Sequence, residues 1–448
     1  MCVVRTVVTG GTGVIGRAAV QALVSAGHDV VVHTAAVPAD HPELVAARLA
    51  GVRVLTRGAC LVELMSGMRT LAVSGSHGKT STTWFAGHLL TAAGADPLVM
   101  VGGSVAALGG GGARAGRGSW FVAEVDESDG SFTGVRPQIA IVTNLDREHL
   151  RHYGSFAKLE QTFHDWLRTV PADGLVVVPA HGLAPQLTAD LAARVLTVGL
   201  SDGDCHAADL ELGAEGSTCR VILHGRDLGP ISVPIPGAHM VANALMALVA
   251  ARAVHPGTRL ADLATCERVR RRFLVHGTAA GVRVVEDYGH HPAEIRATVA
   301  AARLGGGRVH VVFQPHRHTR TQDCFPEFVT AFDQAQQVLL LPIYGAGEEP
   351  IAGVTSAALA TALSERRCEA PGGSVRAVAD GDAALPVLLD HAAPGDTILV
   401  LGAGDVGDYA PRILDFFVSG RREPAARFPL RSRHEPAAHR VEHLHVCA

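Results

Sequence analysis

Ser74-Gly75-Ser76-His77-Gly78-Lys79-Thr80 is the stretch from which the fold is read. A β-branched apolar run ends near Val73, and an apolar-periodic stretch predicting a helix begins around Ser81. Strand, glycine loop, Lys-Thr and helix together predict a phosphate cradle. Gly75 and Gly78 let the amides of Ser76, His77 and Ser81 turn inward, the helix start adds a positive dipole end, Lys79 neutralises charge, and the Thr80 hydroxyl is placed to ligate Mg²⁺. The spacing is shorter than the full G-x-x-x-x-G-K-[ST] pattern, and a bare Gly-rich turn would use the same glycines. It would have no need of Lys-Thr. Lys79 and Lys158 are the only lysines in a chain rich in arginine.

Outward from the loop, Ala123-Glu124-Val125-Asp126-Glu127-Ser128-Asp129 ends a second predicted strand and Thr143-Asn144 a third, with Asp146, Glu148 and His149 following. Open α/β sheets bind ligands at the carboxyl ends of their strands. Glu124 is the first magnesium candidate. A solvated acidic loop is the plainer alternative, but three strand ends converge here.

Short β-branched runs alternate with helical stretches over the whole chain, which predicts an α/β fold with mostly parallel sheets. Strands are expected at residues 6–9, 30–33, 52–55, 70–74, 120–125, 139–143, 175–178, 283–286, 309–313, 338–341 and 397–401. Between Cys205 and Pro236 the alternation predicts an antiparallel excursion. The 448 residues suggest three domains at ~150 residues each. The divisions fall at 1–69, 70–277 and 278–419, with 420–448, rich in Arg, His, Pro and Glu, read as a disordered tail. Gly109 to Gly112 reads as a flexible loop.

The net charge of −4 and scattered basic residues argue against nucleic acid as a partner. No long apolar run predicts a membrane span, and no leader pattern follows Met1, so a cytoplasmic protein is expected, as monomer or homodimer. Eight dispersed cysteines lack paired zinc spacing and read as reduced thiols.

These motifs resemble the Mur ligases of bacterial cell-wall synthesis, most closely their branch that adds L-alanine to UDP-N-acetylmuramate. The likeness covers roughly residues 30–415 and includes Glu286-Asp287-Tyr288-Gly289-His290-His291-Pro292, Phe313-Gln314-Pro315-His316-Arg317, Thr319-Arg320-Thr321 and Gly402-Ala403-Gly404-Asp405. It implies a three-domain architecture: a shortened Rossmann-like acid-substrate domain, a P-loop ATPase domain and a Rossmann-like amino-acid domain. It further implies ATP and Mg²⁺ as cofactors, with the metal on Thr80, Glu124 and His149. His239 and Asn243 would border the nucleotide, and Arg272 and Asp287 would close over it. Tyr288, His290, Arg317 and Arg320 would surround the amino acid. Met240 stands where the family motif has Asn. The implied chemistry is amide-bond formation between a carboxylic acid and an amino acid through an acyl phosphate. Arginines suit a carboxylate because they donate in a planar fork. His290 or His291 would take the proton from the incoming ammonium.

The first domain departs from the pattern. Thr9-Gly10-Gly11-Thr12-Gly13-Val14-Ile15-Gly16 resembles a dinucleotide fingerprint, which raises an oxidoreductase as a second reading. Against it, the run from Val30 leads into His33-Thr34 without an acidic residue for a ribose, and no Tyr-x-x-x-Lys pair exists. A first domain this short also leaves open a ligase of specialised metabolism acting on an acid without UDP, or a non-catalytic paralogue.

Overall fold

A computed structural model describes residues 7–9, 30–33, 37, 39–183, 185–368 and 373–419. Both the fingerprint Gly10–Gly16 and the expected tail lie outside the described residues.

Three sheets organise the described residues. The first holds β1 (Val7–Thr9), β2 (Val30–His33) and β3 (Arg53–Thr56), all parallel. Next along the chain come β4 (Arg69–Ser74), β5 (Leu98–Met100), β6 (Ala113–Arg114), β7 (Trp120–Glu124), β8 (Ile139–Val142), β9 (Leu175–Pro179) and β10 (Arg194–Gly199). With β11 (Cys205–Leu212), β12 (Ser217–Leu223) and β13 (Arg226–Val233) they make a ten-stranded sheet in the order 13-12-11-10-9-8-4-7-5-6. Its middle is parallel, while β11, β12 and β13 pair antiparallel as the alternating sequence predicts.

The third sheet comprises β14 (Leu274–Ala279), β15 (Val282–Asp287), β16 (Val309–Phe313), β17 (Gln337–Leu340), β18 (Ser374–Ala377) and β19 (Thr397–Leu401), ordered 14-15-19-16-17-18. The expected division between residues 277 and 278 therefore falls inside β14. Because β14 pairs antiparallel with β15, sheet membership begins the third unit by Leu274. The β14 edge has no simple apolar alternation, and Gly277 interrupts its register.

The middle unit is built around two helices, Lys79–Ala92 and Ala238–Val254, which pack against each other and the central sheet. The second is apolar on nearly every face because it is buried nearly all round. One contiguous apolar cluster joins Phe85, Leu245 and Leu248 of this unit to Ile295, Phe313 and Leu401 of the third. The third unit is thus docked, which places the carboxyl ends of both large sheets toward each other.

At the other side the Arg57–Met65 helix packs on the turn Ser131–Gly134. Gly58 permits that approach, since a Cβ there would overlap the Ser131 side chain. The Gly109–Gly112 run is an ordered turn: Val105 N–H donates to Gly111 O at 2.8 Å and Val101 N–H to Gly112 O at 2.7 Å.

Candidate active site

The helix after β4 begins at Lys79, two residues before its expected start, and Gly78 at its N-cap adopts φ 82°, a left-handed conformation suited to glycine. No side chain caps this helix, so its first N–H groups stay available to an anion. The loop is clamped from the end of β8. His77 N–H donates to Asn144 Oδ1 at 3.0 Å, Asn144 Nδ2 donates to His77 O at 3.0 Å, and Thr143 Oγ1 donates to the same carbonyl at 2.6 Å. Ser76 Oγ accepts Asp146 N–H at 2.9 Å. Ser81 is buried in the helix start. From the opposite side Asn243 presses on the loop: a Cβ on Gly78 would lie 2.8 Å from Asn243 Oδ1. Met240 Sδ lies 4.0 Å from Asn243 Nδ2, so the residue that departs from the family motif backs this amide.

Lys79 Nζ donates to Gly75 O at 2.7 Å and Ser76 O at 3.2 Å, and meets both Glu127 oxygens at 2.8 and 3.0 Å. Burial pulls the Lys79 ammonium down, but the charges of Glu127, Asp126 and Glu124 outweigh it and hold it above its ordinary value.

Glu124 lines the same cavity but accepts Gly102 N–H at 2.6 Å. Glu127 and Glu148 bring ligand atoms within 4.8 Å of each other and of His149, close enough to share an ion with it. The structure thus draws two further carboxylates to the expected metal position. Thr80 lines the cavity beside them. The signal for Glu127 was present in the acidic motif, three residues past Glu124.

The third unit supplies the opposite wall. Arg272 lies 5.2 Å over the Tyr288 ring and 3.7 Å from Glu294. Asp287 is occupied in holding the chain: it accepts Phe273 N–H at 2.8 Å and Gly289 N–H at 2.7 Å. His239 stands behind, partly buried among Arg272 and Glu294, its imidazole pushed down to about 4 by burial and then by the Arg272 charge. Neither Asp287 nor His239 lines the cavity.

The histidine pair of the sequence separates into two roles. His291 caps the Pro292–Arg303 helix, its Nδ1 accepting Ala293 N–H at 3.4 Å. His290 faces the cavity, with Nδ1 donating to Tyr288 O at 3.0 Å, which leaves Nε2 the basic nitrogen. Burial pushes its pKa down to about 4 despite the Glu294 charge, so it is neutral at pH 7. Arg320 donates to His316 Nδ1 at 3.3 Å and lies 3.4 Å from Glu148, while Arg317 pairs with Glu348 at 3.0 Å.

Glu294 was not singled out in the sequence, although its place three residues after the His291 cap is the capping-box signature. It accepts the N–H groups of His290 and His291, and its carboxylate lies 3.6 Å from His77 Nδ1. Burial would push this carboxyl up, but His290, His77 and Arg272 hold it well below its ordinary range. His77 also meets Asp146 at 3.2 Å and stacks on His291 at 4.7 Å. Phosphate loop, acidic strand ends and third-unit arginines thus enclose one cavity of about 980 Å³, which also reaches Arg57 of the first unit.

Comparison with known proteins agrees with this construction. Residues 73–251 match the Mur ligase middle domain, and residues 271–404 the Mur ligase, glutamate ligase domain. The chain is 43% identical over 388 residues to the UDP-N-acetylmuramate–L-alanine ligase of Sorangium cellulosum, covering 85% of this chain and 82% of that one. It is 41% identical to the ligase of the same name from Solibacter usitatus, covering 87% of this chain and 83% of that one. In structure it is similar to the UDP-N-acetylmuramate-alanine ligase of Thermotoga maritima, with a TM-score of 0.76 and 24% identity over 93% of this chain and all of that one.

The chain belongs to the Mur ligase family and is an ATP-dependent ligase. Its relatives above all carry the name of the alanine-adding enzyme. The family assignment displaces the oxidoreductase reading of the first residues. Among the described residues no helix is long and apolar enough to cross a membrane.

Proposed function

We propose that the chain adds L-alanine to the carboxylate of UDP-N-acetylmuramate, with ATP converting that carboxylate to an acyl phosphate. The observation that carries this reading is the single cavity walled by Lys79, by Glu124 and His149, and by Tyr288, His290, Arg317 and Arg320. Its support outside the site is the name shared by relatives at about 42% identity.

The loop amides and Lys79 hold the triphosphate and stabilise the charge that spreads as the substrate carboxylate attacks the γ-phosphorus. Thr80, Glu124 and His149, joined by Glu127 and Glu148, are the residues to hold Mg²⁺. Glu148 Oε1 is buried with no hydrogen bond and only the Arg320 guanidinium at 3.4 Å to balance it, as suits an oxygen that can take a cation. Bound there, Mg²⁺ supplies charge neutralisation for the phosphates.

Arg317 and Arg320 bind the amino-acid carboxylate, and Tyr288 walls its side. His290 Nε2 takes the proton from the ammonium, because only the neutral amine attacks the acyl phosphate. The docked third unit excludes water, which would otherwise consume the acyl phosphate.

The test is ADP release by the full chain with Mg²⁺ against a panel of acids and amino acids that includes UDP-N-acetylmuramate with L-alanine. Turnover confined to that pair is expected. Turnover only with acids lacking uridine diphosphate would favour the specialised-metabolism reading, for which the three-stranded first sheet is the relevant observation. No turnover with any pair would sink both.

A further inference from the structure

An ammonium has three N–H donors. Lys79 directs them at four acceptors: two carbonyls of its own loop and both oxygens of Glu127. A phosphate oxygen can take a donor only if one partner withdraws. The carbonyls of Gly75 and Ser76 are fixed by a loop pinned to Thr143 and Asn144, so they cannot retreat. Glu127 can. Its side chain is 1% exposed and its backbone is anchored, with its carbonyl accepting from the Tyr153 hydroxyl and, at 3.1 Å, from Gly130 N–H. Release of Lys79 therefore falls to rotation about the Glu127 side-chain bonds, with His149 Nε2, 3.7 Å from Glu127 Oε1, as the partner that remains to the carboxylate. The neighbouring carboxylate, Asp126, is turned away toward Arg57 at 3.1 Å and Ser128, so it is not the one that must leave.

We propose that Glu127 is a positioning residue occupying, on the Lys79 ammonium, the place a nucleotide phosphate oxygen takes, so that nucleotide binds by exchanging one anion for another. This rests on the ligase reading above. It means that the site is preorganised at the cost of affinity: Lys79 is held extended along its loop and aimed into the cavity, and each nucleotide must displace a buried ion pair.

The chain makes this directly measurable, because it has two lysines and the other, Lys158, is exposed on the Phe156–Leu167 helix. With ¹³Cε-lysine the full chain yields two lysine resonances, Lys158 serving as internal reference. Without nucleotide, Glu127→Gln should move the Lys79 resonance. Saturated with the non-hydrolysable analogue AMPPNP in EDTA, wild type and variant should share one Lys79 position, since a phosphate then occupies the ammonium in both. AMPPNP should bind Glu127→Gln about tenfold more tightly, the equivalent of ~1.4 kcal/mol.

Should Glu127→Gln fail to fold, Glu127→Asp retains the charge on a shorter arm and is expected to gain about threefold. Equal or weaker AMPPNP binding by the variant overturns the proposal, as does a Lys79 resonance that differs between the saturated chains. If neither chain binds AMPPNP in EDTA or after Mg²⁺ is restored, the nucleotide-binding reading fails and the proposal with it; binding without gain removes the proposal alone.

Discussion

Replacing Glu294 by glutamine takes one charge from the junction between phosphate loop and third unit while keeping the shape of the side chain. Glu294 accepts His290 N–H at 3.0 Å and His291 N–H at 3.2 Å. An amide oxygen can still accept these, so a capping contribution of ~1 kcal/mol survives. The pairing with His77 does not. The His77 imidazole is pushed from 6.5 up to about 10: burial opposes the rise, and hydrogen bonds to Asp146 and Glu294 with the charges of Glu294 and Glu148 drive it. At ~1.4 kcal/mol per tenfold change in proton affinity, the protonated form gains about 5 kcal/mol. Glu294 contributes to that gain through both a hydrogen bond and its charge, so its loss should cost on the order of 3 kcal/mol, where unpairing a buried charge begins.

The sign follows from both groups. Glu294, depressed below its ordinary 4.5, contributes above that pH and loses its contribution as pH falls. His77, raised, contributes fully below 6.5 and loses its contribution as pH climbs through about 10. The deficit should therefore be largest between about pH 4.5 and 6.5 and smaller by about 10, where only the share owed to Arg272 remains. Guanidinium unfolding followed by fluorescence of Trp84, Trp120 and Trp166 reads the middle unit that His77 belongs to. A deficit under ~1 kcal/mol at about pH 6, or one unchanged at about pH 10, refutes the reasoning.

Lys79→Ala should lower acid-dependent ADP release by on the order of 10³ without altering far-UV circular dichroism, because it removes a donor to the developing phosphate charge. His290→Gln should cut kcat by ~10²-fold or more. In the wild type the acid limb of kcat against pH should sit near 4 rather than 6.5, where burial places this imidazole; a limb at 6.5 would point to another base. Arg320→Lys should raise the amino-acid KM about tenfold with little change in the ATP KM, read from steady-state kinetics, because one ammonium cannot replace a planar fork. Gly58→Ala should lower the melting temperature and raise the acid KM, costing ~1–3 kcal/mol, because the new methyl forces the Arg57–Met65 helix off Ser131.

Much of this protein was legible in its sequence because local rules govern it. A phosphate loop is defined by consecutive residues, so Gly75 through Thr80 can be recognised without tertiary contacts. The strands at residues 30–33, 309–313 and 397–401 coincide with their expected limits, since each is a short β-branched run bounded by turn residues. Strands β5, β6, β10, β14 and β18 fall outside the expected ones. Several are short or carry charged residues, and they exist because a neighbouring strand offers them hydrogen bonds.

Tertiary structure alone decided the division of labour inside motifs. His290 and His291 are equivalent in sequence, yet one turns a basic nitrogen to the cavity and the other caps a helix. Glu124 and Glu127 lie in one acidic run, and only packing puts Glu127 against Lys79. Glu294, 217 residues from His77 in sequence, becomes its partner because two sheets meet at their carboxyl ends. Local sequence determined which groups and which phosphate loop this chain carries, for those depend on backbone conformation within a few residues. Which groups face one another depended on the docking of the third unit, a long-range contact that no local pattern encodes.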